Sequence, residues 1–175
     1  MSMIDKIYIE YLLLKEDEAS FHQVLRLVQP KLLAFAVSFL KDKSLAQDVV
    51  QEALISLVKG IRKLKDHRKF HVWIYQVTRS KCLDTIRKNQ KYKKDTDIDS
   101  VSDAIAQKND IDIQFDVMMM INKLSLQHKN IIHLFYYQGF SILEIAEILQ
   151  KPAGSIKSLL FDARAQLKQL IGEKP

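Results

Sequence analysis

Apolar residues in this chain recur at three- and four-residue spacing on both sides of one polar stretch. That period matches the 3.6-residue turn of an amphipathic α-helix and fits no strand. Phe21, Val24, Leu25 and Val28 lead into Leu32, Phe35, Ala36, Phe39 and Leu40, which reads as a helix bent at Pro30. Ser44 is a good N-cap for a second helix through Leu45, Val49, Ala53, Leu54, Leu57 and Val58, weakened at Gly60. Another runs from Phe70 to about residue 91, its stripe at Phe70, Trp73, Ile74, Val77 and Leu83 or Ile86. Downstream, Ile113, Val117, Met120, Ile121 and Leu124 form a short helix, and Ile131, Leu134 and Phe135 belong to the next, stopped at Gly139. Ser141 and Glu144 have capping-box spacing and open a helix through Ile142, Ile145, Ala146 and Leu149. Pro152 then breaks the chain before a last helix that buries Ile156, Leu160, Ala163, Leu167 and Leu170.

The pattern predicts an all-α fold: an N-terminal helical bundle over 1–92, a flexible acidic linker over 93–110, and a helix-turn-helix domain over 111–175. Only 4 Gly and 3 Pro among 175 residues leave few of the turns that sandwiches and barrels need, and 47% hydrophobic content excludes a disordered chain. The single cysteine, Cys82, excludes a disulfide framework and a clustered-cysteine zinc site, and suits a reducing compartment. Asp5 and Glu10 stand where a signal peptide needs a basic start and an apolar core, and the longest apolar stretch, Leu32 to Leu40, is too short to span a bilayer. A soluble, cytoplasmic protein is expected.

Charge is concentrated rather than spread. The net charge is +6, yet residues 59–94 carry 13 basic and 2 acidic groups, while 95–116 carry 1 and 7. A cationic block of this size attracts polyanions and releases their counterions, so nucleic acid is the leading partner, ahead of an anionic membrane or a merely solvated lysine face. Aromatic residues interleave its charges, as in surfaces that bind separated strands by stacking. The stretch from Arg62 to Lys69, with Lys63, Lys65 and Arg68, is the best placed for bases or phosphates. Trp73 lies on the apolar stripe and fits packing better than stacking.

In a helix-turn-helix the first turns of the second helix face the base edges. Here they contain Ser155, Lys157 and Ser158. Lys157 suits a guanine edge or a phosphate, Ser158 a base, and Arg164 a phosphate, while Phe161 is either a core residue or a contact for a thymine methyl. Leu45, Asp48, Val49, Gln51 and Glu52 form a mixed apolar and acidic edge suited to a partner helix, although alone it reads as an ordinary amphipathic surface.

Taken in order, these segments resemble an RNA polymerase sigma factor of the extracytoplasmic-function (ECF) group of the sigma-70 family. Ala46-Gln-Asp48-Val-Val-Gln51-Glu52-Ala53 is similar to the segment that grips the clamp helices of the polymerase's largest subunit. Phe70-x-x-Trp73-Ile-Tyr75, continuing to Asp84-x-x-Arg87, is similar to the segment that opens and reads the -10 promoter element. Gln138-Gly139-Phe-Ser141-x-x-Glu144-Ile-Ala146, then Pro152-x-Gly154-Ser-Ile-Lys157-Ser158 and Ala163-Arg164, is similar to the -35 reader.

The resemblance implies that Leu45, Asp48, Val49, Gln51 and Glu52 bind core polymerase. It assigns the -10 element to Arg62, Lys63, Lys65, Arg68, Lys69, Trp73, Tyr75, Arg79, Ser80, Arg87 and Lys88, and the -35 element to Ser155, Lys157, Ser158, Phe161 and Arg164. It further implies an anti-sigma factor as partner and a linker passing through the RNA exit region. Leu159 and Asp162 stand where the family usually has basic residues, and Ser80 where some members carry an Asn that holds a flipped base. No catalysis, cofactor or metal is expected: the five histidines lack metal spacing and Cys82 has no evident base. Two other readings fit the residues, a helix-turn-helix regulator that acts without core polymerase and an interaction module that sequesters polymerase.

Overall fold

A computed structural model describes residues 3–95, 120, 121 and 123–172, and every regular element among them is helical. Helix α1 spans Met3–Leu14, α2 Glu18–Leu40, α3 Lys43–Gly60 and α4 Phe70–Asp95. Single 3-10 turns, Ile61–Lys63 and His67–Lys69, separate α3 from α4. Helix α5, Leu126–Ile132, runs into a π-helical segment, His133–Tyr137, followed by α6, Ile142–Leu149, and α7, Ala153–Gly172.

Helix α2 is the hub and packs against α1, α3, α4 and α5. Its Val24, Val28, Leu32, Phe35, Ala36 and Phe39 are buried at helical spacing. Pro30 sits within it on an exposed face, where water can satisfy the carbonyl that lacks its N–H partner. By length and apolar content the whole of α2 would suffice to cross a bilayer, a longer segment than Leu32 to Leu40 suggested; its buried stripe forms core instead.

Local chemistry sets the helix ends. Asp17 caps α2 by accepting from the Ser20 N–H (2.7 Å) and hydroxyl (2.9 Å), which holds its carboxyl below the usual range. Asp42, not Ser44, caps α3, accepting from the Leu45 N–H at 3.0 Å. Both residues are good caps, and the helix begins one turn-fraction earlier than the apolar pattern shows. The capping box at Ser141 and Glu144 is formed in both directions. Helix α1 carries no cap that the spacing reading registered, and α4 extends to Asp95, so three residues assigned to the linker are helical. The remainder of the linker, and the helix read over 113–124 apart from Met120, Ile121, Lys123 and Leu124, lie outside the described residues.

Helix α4 is covered on two sides. Phe70 and Ile74 face the bundle as expected, but His71, Tyr75, Thr78 and Cys82 are buried as well, because α6 packs against α4 while α5 packs against α2. One buried cluster therefore runs from Ile9 in α1 to Ala163 in α7.

Gly60 ends α3 under the Trp73 ring, where an added Cβ would stand 2.8 Å from the indole Cζ2. Alanine normally stabilises a helical position over glycine by about 1 kcal/mol, but overpacking a rigid ring costs about 1–3 kcal/mol. Gly60→Ala is expected to lower the urea midpoint. A raised midpoint would show that Trp73 moves aside freely.

Candidate nucleic-acid interface

Helices α6 and α7 meet through a three-residue turn. Gln150 takes the left-handed conformation (φ 53°) and donates its N–H to the carbonyls of Ala146 and Glu147. Pro152 follows, and its carbonyl accepts from the Ile156 N–H at 3.2 Å to start α7. Ile156, Leu160 and Ala163 fasten the helix to its neighbours, leaving the opposite face free. Ser155, Lys157, Ser158, Phe161 and Arg164 are all exposed there. Phe161 is 72% exposed, which removes it from the core. Asp162 is exposed as well, while Leu159 is half-buried. The Ser158 hydroxyl donates back to the Gly154 carbonyl at 3.3 Å.

The basic stretch is divided by the fold. Arg62, Lys63, Lys65, Arg68 and Lys69 lie exposed on the 3-10 turns and the link between them. Arg68 is held by Asp66, Nε to Oδ1 at 3.0 Å, and that hydrogen bond lowers the Asp66 pKa. Along α4, Ser80, Arg87 and Lys88 are exposed, and Arg87 approaches Asp84 at 3.4 Å. Arg79 is half-buried with its Nε unpaired; burial, then the Arg87 charge, pushes its pKa down. Trp73 is half-buried against Gly60.

Tyr75 departs from its expected place. It is 1% exposed, its ring lies between Phe35 and Phe140 (4.9 Å to each centroid), and its hydroxyl donates to Gln138 Oε1 at 2.6 Å. In this arrangement it touches no solvent and cannot meet DNA. The sequence pattern showed an aromatic beside a cationic run; it did not show that α6 would cover that side of α4.

On α3, Asp48, Gln51 and Glu52 are exposed and Leu45 is half-buried, whereas Val49 is buried in the bundle and offers a partner nothing in this state. Glu52 accepts from Lys81 of α4 at 3.1 Å. The same face continues through Ile55 and Val58, 53% and 52% exposed, which the spacing reading did not assign to it. Ile55 lies four and three residues beyond Gln51 and Glu52, and Val58 three beyond Ile55; that spacing was the available signal, obscured because apolar residues on a helix read first as core.

The two halves meet through a specific polar seam. Lys6 of α1 pairs with Glu144 of α6 at 2.6 Å and sits over the Phe140 ring. Burial raises the Glu144 pKa, but the hydrogen bonds from Lys6 and Ser141 outweigh it and hold the carboxyl low. Gln76 donates to the Glu147 carbonyl at 2.9 Å, and Ser38 reaches Asn130 at 3.3 Å. Gln138 bridges Tyr75 and His133, its Nε2 lying 3.1 Å from His133 Nε2. That contact requires the histidine nitrogen to be an acceptor, so protonation would set two donors against each other.

Residues 24–92 match the family description Sigma-70 region 2, and residues 114–167 match Sigma-70, region 4. A crystallised sigma factor RpoE from Bartonella quintana, bound to the anti-sigma factor NepR, superposes with a TM-score of 0.73 at 30% identity, covering 89% of this chain and 98% of that one. The ECF RNA polymerase sigma factor SigW of Bacillus subtilis is 25% identical over 169 residues, 89% of this chain and 90% of its own length. SigM of the same organism is 29% identical over 140 residues, 78% and 85% of the respective chains. The chain belongs to the sigma-70 family, in its ECF group. Its region 2 and region 4 segments are therefore the two units joined at the seam, and this sigma factor carries Tyr75 and Gln138 on opposite sides of it.

Both seam histidines are held neutral. Burial, then the Lys6 charge, pushes His71 down to about 4. Lys31 opposes its charge too, while Glu144 and a backbone hydrogen bond with Lys6 favour it. Burial pushes His133 down to about 4 as well. Released histidines titrate near 6.5, so between 6.5 and 4 the separated or unfolded chain binds more protons and stability rises with pH. The closed sigma factor is expected to be fully stable above pH 6.5 and to weaken steadily towards pH 4. Denaturant melts across this range check it, and His71→Gln with His133→Gln should flatten the profile. A midpoint constant from pH 7 to 4.5 in the unsubstituted chain would contradict the assignment.

Proposed function

We propose that this chain is the promoter-recognition subunit of RNA polymerase, with its tasks divided between three surfaces. Asp48, Gln51 and Glu52, extended by Ile55 and Val58, dock on core polymerase. The cations of the 3-10 turns and of α4, Arg79, Arg87 and Lys88 among them, together with the Ser80 hydroxyl, hold the downstream element as its strands part. Lys157, Ser158, Phe161 and Arg164 read the upstream element as duplex, with Ser155 at the start of the helix. The observation that carries the reading is the outward, unobstructed face of α7, reached through a tight turn and bearing a lysine, an arginine and a bare aromatic ring.

The closed seam gives the mechanism a conformational step. Tyr75 and Trp73 belong to the segment that resembles the -10 reader, and a base that leaves the stack costs a few kcal/mol unless stacking and pockets replace what it loses. With Tyr75 bonded to Gln138, that side of α4 is occupied by region 4. Docking on core polymerase favours the separated arrangement by its differential affinity, which is how a partner shifts a two-state equilibrium. An anti-sigma protein, of the kind bound in the RpoE structure, would act in the opposite direction by favouring a form that polymerase cannot use. The chain acts by binding, in the cytoplasm where polymerase works, and its own residues perform no chemistry.

Run-off transcription from a genomic pool with core polymerase tests the assignment: initiation should depend on the chain. Lys157→Ala is expected to weaken upstream-element binding about 10-fold with polymerase association intact. Asp48→Ala with Gln51→Ala should lower polymerase association and leave the α7 surface unchanged. Equal losses in both assays would show that the surfaces are not separate, and initiation from no promoter would remove the reading.

A further inference from the structure

The π-helical segment His133–Tyr137 ends with Tyr136 and Tyr137 outward, 55% and 53% exposed, beside the open face of α7. The Arg164 guanidinium lies over this ridge. Its Nε donates to the Tyr136 hydroxyl at 2.8 Å, and its central carbon sits 5.6 Å from the Phe135 ring centroid and 5.7 Å from that of Tyr136. Phe135 and Tyr136 are themselves edge to face, with centroids 5.0 Å apart. An exposed arginine ordinarily samples many rotamers, so this arrangement confines it.

The means of confinement matters. Arg68 and Arg87 are held by aspartates, which cancel much of their charge. Arg164 has no carboxylate partner among the described residues and is fixed by a neutral hydroxyl and two ring faces. Its charge is undiminished, and with Nε occupied both terminal nitrogens remain to donate side by side, the fork geometry that suits a phosphate. The Tyr136 hydroxyl accepts from Arg164 and still has its own proton to give. Lys157, Phe161 and Arg164 follow one another at four and three residues along α7, so the held guanidinium lies on the same line as the proposed base contacts.

We propose that Tyr136 is a positioning residue for upstream-element recognition, fixing the Arg164 guanidinium for a backbone phosphate of the duplex. The proposal rests on the reading of α7 as the duplex-facing helix. A phosphate contact sets the register of a recognition helix without itself reading sequence.

The test uses full-length chain with core polymerase. The probe is a promoter fragment recovered by run-off selection, together with the same fragment truncated so that the upstream duplex is absent. Tyr136→Phe keeps the ring and removes the hydroxyl; it should weaken binding to the intact fragment about 3- to 10-fold, with no change on the truncated fragment and an unchanged melting temperature. Arg164→Ala should lose about 10-fold or more. The double variant should be no worse than Arg164→Ala, and the slope of log affinity against log salt should fall by about 0.9. Additive losses, or a Tyr136→Phe loss equal on both fragments, would overturn the proposal, as would a neutral Tyr136→Phe beside a defective Arg164→Ala, which leaves the α7 reading standing. If Arg164→Ala and Lys157→Ala are both neutral, the α7 reading fails and the proposal with it.

Discussion

The hydrogen bond from Tyr75 to Gln138 joins region 2 to region 4 within the buried cluster that the two share. It lies where water does not reach, with the phenol ring between Phe35 and Phe140. A buried polar pair adds only about 1 kcal/mol when made, but leaving one partner unsatisfied costs about 1–3 kcal/mol. The pair therefore selects one docking geometry over others more than it deepens it. Lys6 on Glu144 and Gln76 on the Glu147 carbonyl act in the same sense around its edge.

This seam sets competing uses for one helix. Helix α4 offers its cations to solvent, turns Phe70 and Ile74 into the bundle, and commits Tyr75 to region 4. With α4 covered by region 4, the proposed reading of two promoter elements at once requires the seam to open. Single polar contacts cross it above an apolar cluster that is continuous from one unit to the other, so opening it exposes buried surface that a partner has to cover. The Glu52–Lys81 pair links the exposed edge of α3 to α4.

Much of this was legible beforehand. The three-and-four spacing identified α2, α3, α4 and the last two helices because each buries an apolar stripe, although on α4 it did not show the second buried side, and the capping box located α6 to the residue. What escaped did so for particular reasons. Helix α1 has apolar residues all round, with Ile9 and Leu12 buried while Ile7 and Tyr11 are exposed, so no single face stands out. Tyr75, Val49 and Phe161 could each be read as inside or outside, and only tertiary packing decides: the first two are buried and the third is not. Tyr136 carries no sequence signal at all, since its importance comes from an arginine 28 residues away. Fold, in short, follows from periodicity, whereas contacts between distant segments do not.

The free chain is closed across Tyr75 and Gln138; docking on core polymerase is expected to open it. Pulsed dipolar spectroscopy between spin labels at His22→Cys and Gln169→Cys, both exposed positions, measures this directly. Cys82 does not interfere, because it is buried and burial pushes its thiol up to about 12. The free chain should give one narrow distance distribution, replaced by a longer one with core polymerase and promoter DNA. A broad distribution in the free chain, or an unchanged distance in a transcribing complex, would contradict the account.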